Sequence, residues 1–291
     1  MKALVKRQKG PGFLEYTDVP EPTPGPGEVK IQVKACGICG TDLHIRHDTF
    51  PNFPPVVLGH EFSGIVAEVG PDVKGIVPGQ QVVSEVVFET CGRCRACKTG
   101  YYNLCPTRRG LGWAADGAFA SYAVVEAKNI HPMPNNLSFE AAALSEPLAV
   151  CAYAVCELTK VTAGDVVLVS GPGPIGLLTA QCAVAEGGRV IVSGTSADAD
   201  RLRVAQELGV FAAVDLPAGL VVGAPGVIAA GVQLAHGALA FVLLGQIGRG
   251  AHCLFGRLEF IVDGGEFGLE PRALVLGPMV ELVHLRIEPV A

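Results

Sequence analysis

The chain has 291 residues, of which 49% are hydrophobic and 17% charged, with a formal net charge of −6. That length suits two domains better than one small core. The composition excludes a disordered chain, and the acidic balance excludes nucleic acid as a partner.

The opening "MKALVKRQKGPGFLEY" has early Lys and Arg but no apolar run behind them, so it reads as neither a signal peptide nor an anchor. Up to residue 35 apolar and polar positions alternate, leading into the turn-rich "PEPTPGPGEV". "VKIQVKACG" has the period of two of a strand, and "VVLGHEFSGIVAEVG" and "GQQVVSEVVFE" read as short strands punctuated by glycine. Together they predict an all-β, folded-over, barrel-like domain. After Asn135 the pattern changes: "SFEAAALSEPLAVCAYAVCEL" has helical spacing behind a Ser138 N-cap. "DVVLVSGPGPIGLLTAQCAVAEGG" then gives strand, glycine turn and helix, and "RVIVSGTSADADRLRVAQELGV" repeats strand, loop and helix. This alternation predicts a parallel sheet with right-handed crossovers, and a domain boundary near residue 150.

Residues 216–291 contain no Ser, Thr, Asn, Lys, Tyr or Trp, where ordinary usage would supply roughly ten or more together. The hypothesis that fits is translation out of frame from a GC-rich gene, which resequencing with an intact frame would remove. The apolar stretches near 221–245 are broken by Gly, Pro, Gln and His, so they read as core rather than a membrane span.

Of ten cysteines, six lie between Cys36 and Cys105. Without an export signal, clustered cysteines point to metal in a cytoplasmic protein rather than to disulfides. Cys91, Cys94, Cys97 and Cys105 form C-x-x-C-x-x-C followed, after a gap, by a fourth Cys. Two-residue gaps let neighbouring sulfurs converge on one tetrahedral zinc, and four thiolates leave no open position, so this site is structural. The alternative is an iron–sulfur cluster, kept open by Pro106 after Cys105.

"ACGICGTDLH" supplies Cys39, Thr41, Asp42 and His44, "LGHEFSG" supplies His60 and Glu61, and "LSEPLAVC" supplies Glu146. A thiolate, an imidazole and a carboxylate make a mixed donor set of the kind a catalytic zinc uses beside an exchangeable position. "GxCGTDLH", "GHExxG", the four-Cys lobe and a glycine-rich turn, in that order, resemble the zinc-dependent medium-chain alcohol dehydrogenases, in particular the polyol (sorbitol-like) and threonine dehydrogenase branches. The resemblance covers residues 1 to about 215. It implies a GroES-like zinc-binding catalytic domain (1–150) and a Rossmann, doubly wound parallel-sheet domain (151–291), α/β overall; by the composition above, 216–291 are an atypical, incomplete or aberrant end to it. It implies two Zn2+ per chain. Cys39, His60 and Glu146 would hold the catalytic ion, with Glu61 as a nearby or interchangeable ligand. Thr41 and His44 match the family's proton relay, which a dry site needs to pass the alcohol proton to water. The implied activity is hydride transfer between a secondary alcohol or polyol and NAD or NADP. The alternatives are a threonine-type amino-alcohol dehydrogenase or an inactive zinc-binding remnant. A homodimer or homotetramer is implied if the tail is native. His47, Phe50 and Trp113 are candidates for pocket walls, with core packing the simpler role for Phe50 and Trp113.

Gly171, Gly173 and Gly176 form G-x-G-x-x-G between an apolar strand and a helix, with Pro174 and Ile175 opening that helix. This is the context in which backbone amides and a helix N-terminus bind pyrophosphate. The next strand ends without an acid, at Ser193 and Gly194, and Thr195, Ser196 and Arg201 follow as phosphate ligands. That tips the reading toward NADP, while Asp198 and Asp200 weigh toward NAD.

Overall fold

The computed structural model describes residues 1–215 in full and, after them, the backbones of five strands. The chain divides into two compact units, Met1–Glu146 and Pro147–Ala291.

In the first unit, β1 (Lys2–Lys6) pairs antiparallel with β2 (Leu14–Asp18), and β3 (Glu28–Gly37) leads into the short helix α1 (Gly40–Arg46). Then come β4 (Val56–Val57), β5 (Glu61–Val69), β6 (Gln81–Ser84) and β7 (Val87–Glu89). The cysteine-rich excursion holds α2 (Arg95–Lys98) and returns through β8 (Arg109–Gly110), which pairs with β7. β9 (Tyr122–Glu126) and β10 (Ile130–Pro132) complete a five-stranded antiparallel sheet of order β10-β6-β5-β3-β9. Alternation in β3 and β9 buries Val29, Ile31, Ala123 and Val125 against Phe62, Val66 and Val82, as expected for strands with one wet face. This is the predicted β domain.

The predicted helix after Asn135 forms as two. α3 (Phe139–Ala143) starts at Ser138, whose hydroxyl accepts from Ala141 N at 3.2 Å, and it stops at Leu144. α4 (Ser145–Ala152) carries Pro147 in its first turn, where a missing N–H is harmless, whereas in one continuous helix it would remove an interior hydrogen bond. A π-helical segment, Tyr153–Thr159, follows and ends at a left-handed Lys160.

In the second unit, β11 (Val166–Ser170), α5 (Pro174–Ala185), β12 (Arg189–Gly194), α6 (Ala199–Glu207) and β13 (Ala212–Asp215) alternate. β11 pairs parallel with β12, and β12 with β13, as the strand–helix alternation predicts. Val167, Val169, Val190 and Val192 are fully buried and pack with Ala180, Ala183, Leu202 and Ala205. The tail contributes β14 (Gly231–Gln233), β15 (Leu239–Gly245), β16 (Glu259–Val262), β17 (Gly265–Leu276) and β18 (Val280–Pro289). Parallel order breaks where the tail joins, because β15 runs antiparallel to β11. The described elements after residue 215 are strands only, and within them β15 pairs parallel with β18. The out-of-frame expectation for 216–291, and the homodimer or homotetramer that depends on a native tail, otherwise lie outside the described residues. Among the described residues, no helix is long and apolar enough to cross a membrane.

Candidate metal centres and nucleotide turn

The cysteine lobe folds around its own sulfurs. Cys94 caps α2 and its Sγ accepts from Cys97 N at 3.4 Å. Cys91 Sγ accepts from Cys94 N at 3.3 Å, and Cys105 Sγ from Cys91 N at 3.4 Å. These amides favour thiolates: the Cys91 N–H leads in pulling Cys105 down to about 6, and the Arg93 and Cys94 amides lower Cys91. Cys97 moves the other way, to about 11, through burial and hydrogen bonding to its neighbours. The Sγ separations are 3.5 Å (Cys94–Cys97), 3.6 Å (Cys91–Cys105) and 4.0 Å (Cys91–Cys97). A zinc with bonds of ~2.3 Å sets the edge of its sulfur tetrahedron at about 3.8 Å. The four residues therefore fit a single ion. An iron–sulfur cluster spreads its thiolates over separate irons, so this convergence disfavours it.

The second group is assembled by sheet register. β3 and β5 pair Gly37 with Glu61 and Cys36 with Phe62, which sets the β3–α1 turn against the start of β5. The ligand atoms of Cys39, His60 and Glu61 then all lie within 4.8 Å of one another. Gly37 makes this possible: a Cβ there would sit 2.5 Å from Glu61 Oε2. Among the described residues His60 Nδ1 is buried without a hydrogen-bond partner, and Asp42 Oδ1 lies 3.9 Å away. A buried, unpaired imidazole nitrogen beside a thiol and a carboxylate is costly as apolar packing and fits a divalent metal. Burial pushes the Cys39 thiol up to about 11, raises Glu61 and lowers His60. Each shift favours the neutral form in a dry pocket.

Glu146 stands outside this converging trio. It lies close enough to feel the charge of Glu61, which, after burial, is the second cause lifting its carboxyl to about 7. The carboxylate that closes the trio is thus Glu61, with Glu146 beside it. Thr41 is buried with Oγ1 3.5 Å from Cys39 Sγ. His44 Nδ1 meets Thr49 Oγ1 at 3.0 Å. Phe50 and Trp113 stack edge to face at 5.7 Å and pack with Ile45, Val56 and Leu58, so they are core. His47 is the exposed C-cap of α1.

Two further residues shape the site. Asp42 accepts from Cys39 N at 2.9 Å and Gly59 N at 3.4 Å, tying the two ligand-bearing turns together. Its carboxyl is pushed by burial up to about 6. Its place three residues after an N-cap was the available sign. The other is Gly37, whose glycine is explained only once its partner strand is known.

The glycine turn has the expected form. β11 ends, Gly171 turns at φ 95°, Gly173 caps α5, and Pro174 and Ile175 open it. A Cβ on Gly176 would stand 1.9 Å from Gly171 O, whereas one on Gly173 would meet nothing within 4 Å. Tight packing beneath the turn and open space above it fit a pyrophosphate resting on the first turn of α5. Thr195 and Arg201 lie one loop away, and Ser196 is exposed.

Residues 25–135 match the alcohol dehydrogenase GroES-like domain. The chain is 46% identical over 215 residues to the sorbitol dehydrogenase of Halalkalibacterium halodurans, an alignment covering 74% of this chain and 62% of the relative. It is 41% identical over 221 residues to the L-threonine 3-dehydrogenase of Xanthomonas campestris, covering 74% and 63%. Among solved structures, an NADP-bound protein of Sinorhizobium meliloti assigned as a zinc-binding dehydrogenase superposes with a TM-score of 0.70. It is 42% identical over 77% of this chain and 64% of that one. The chain thus spans a little over three fifths of the length of the curated relatives it matches.

Proposed function

We propose that this chain, which through its described residues belongs to the zinc-dependent medium-chain alcohol dehydrogenase family, is an oxidoreductase that moves hydride between a secondary alcohol or polyol and NAD or NADP. The observation that carries this reading is the convergence of Cys39, His60 and Glu61 within 4.8 Å. These residues would hold the catalytic zinc, with Glu146 close at hand to exchange with Glu61. Cys91, Cys94, Cys97 and Cys105 would hold the structural ion. Zinc supplies Lewis acidity that lowers the pKa of an alcohol hydroxyl, and the nicotinamide is the hydride acceptor.

The chain's own residues do the rest. The buried Thr41 hydroxyl would take the alcohol proton, and the His44 imidazole would carry it onward to water. Gly171, Gly173 and Gly176 give the pyrophosphate its seat, with Pro174 and Ile175 fixing the first turn of α5 against it. Asp42 keeps the Cys39 and His60 turns in register.

A substrate panel tests the reading. Sorbitol, xylitol or butanediol turnover, lost in Cys39→Ser together with one zinc equivalent while the four-cysteine zinc stays, would support it. Turnover of threonine alone would move the chain to the amino-alcohol branch. Full turnover in Cys39→Ser would refute the assignment.

A further inference from the structure

The choice between NAD and NADP is made by what meets the adenosine ribose just after the second strand of the nucleotide fold. β12 closes on Ser193 and Gly194, with no acid at its end, and by the strand end alone NADP would be favoured. The chain then folds back on itself. Ser196–Asp198 makes a single 3-10 turn. Asp198 returns to cap it, with Oδ2 accepting from Thr195 N at 3.2 Å and from Thr195 Oγ1 at 3.0 Å. Its Oδ1 accepts from Arg201 at 3.3 Å. This return brings the side chain beside the glycine turn. A Cβ built on Gly194 would lie 3.0 Å from the Pro172 ring and 3.2 Å from Asp198 Cβ, so Pro172 and Asp198 flank the same glycine.

We propose that Asp198 sets the dinucleotide preference, delivering from the loop the carboxylate that the strand end lacks and selecting NAD over NADP. The inference rests on the dehydrogenase reading above. A 2′-phosphate would look for donors here, and the Thr195 amide and hydroxyl are already engaged by Asp198, which also draws one N–H of the Arg201 guanidinium toward itself. A carboxylate oxygen accepts two hydrogen bonds and donates none. Oδ1 therefore keeps capacity for a ribose hydroxyl, while its charge repels a phosphate dianion. The neighbouring Asp200 does not share this role: its side chain is 98% exposed and pairs with Arg203 at 3.7 Å.

The test is titration of the full chain with NADH and NADPH, followed by nicotinamide fluorescence, for the unaltered protein, Asp198→Asn and Asp198→Ser. Asn and Ser both retain an acceptor for the Thr195 amide, so the cap survives in each, and circular dichroism checks the fold. The unaltered chain should bind NADH more tightly. Each variant should shift the NADH-to-NADPH affinity ratio toward NADPH by about tenfold, the effect of removing one close like charge. An unaltered chain that prefers NADPH, or a ratio unmoved in whichever variant folds, overturns the proposal. An unaltered chain that binds neither nucleotide brings down the dehydrogenase reading itself, and the proposal with it.

Discussion

The three glycines of the nucleotide turn should fail in three different ways when each is replaced by alanine. At Gly176 the new methyl would lie 1.9 Å from Gly171 O. An ordinary carbon–oxygen contact is more than an ångström longer, and the obstructing atom is backbone, so the turn or α5 must move. Overpacking of this kind costs about 1–3 kcal/mol, and the upper end applies where no flexible side chain can yield. At Gly171 there is space but φ is 95°, and an L-residue with positive φ pays about 1–2 kcal/mol. At Gly173 φ is −72° and nothing lies within 4 Å, so no strain is added and only the N-cap preference for Gly over Ala is lost, about 0.5–1 kcal/mol. The methyl would instead occupy the space in which a pyrophosphate must approach the backbone, and nucleotide affinity should fall about tenfold, or about 1.4 kcal/mol. Urea denaturation and NADH titration of the three variants measure both effects. If Gly173→Ala destabilised as much as Gly176→Ala, or bound nucleotide normally while folded, the steric reasoning would be wrong.

Gly37→Ala should displace the Glu61 carboxylate, since the added Cβ would stand 2.5 Å from Oε2; metal analysis should show one zinc equivalent lost with the four-cysteine zinc kept. A chelator should remove metal in two phases, the fast one from the three-donor site with its exchangeable position and the slow one from the closed four-thiolate site; Cys39→Ser should delete only the fast phase. Asp48, which accepts from Gly10 N and Asn52 Nδ2 at 2.8 Å each, has its pKa lowered, first by Asn52 and then by the Gly10 amide. A depressed carboxyl stabilises the fold above the ordinary Asp range near about pH 4 and loses that contribution as pH falls through its folded value. The gap in thermal midpoint between the unaltered chain and Asp48→Asn should therefore be widest at neutral pH and close toward pH 3.

Where local chemistry determines structure, the elements were legible. The β11–α5 turn announces itself because glycine at 171 and 176 is demanded by one dihedral angle and one contact, both within a few residues. The cysteine lobe is similarly local: two-residue gaps bring successive sulfurs onto the same side of a tight loop. The helix after Asn135 was legible as helical but not as two pieces. Apolar spacing continues through Leu144, and only the consequence of Pro147 for a continuous hydrogen-bond ladder argues for a break there.

The trio at the start of β5 was only half legible, for a reason of range. Cys39 and His60 sit in short motifs that name their chemistry, but which carboxylate joins them depends on the pairing of β3 with β5. That pairing sets Gly37 opposite Glu61, and the missing side chain at Gly37 lets the Glu61 carboxylate enter. Glu146 reaches the neighbourhood on α4, from a different part of the first unit. After burial, the Glu61 charge makes the Glu146 carboxyl harder to ionise. A divalent cation between them would reverse that penalty, since it favours both charged forms at once. Two acids beside one thiol and one imidazole are therefore better matched to an exchanging coordination sphere than to a sealed one. The sealed sphere is the one proposed for the lobe, where backbone amides donate to the sulfurs of Cys91, Cys94 and Cys105.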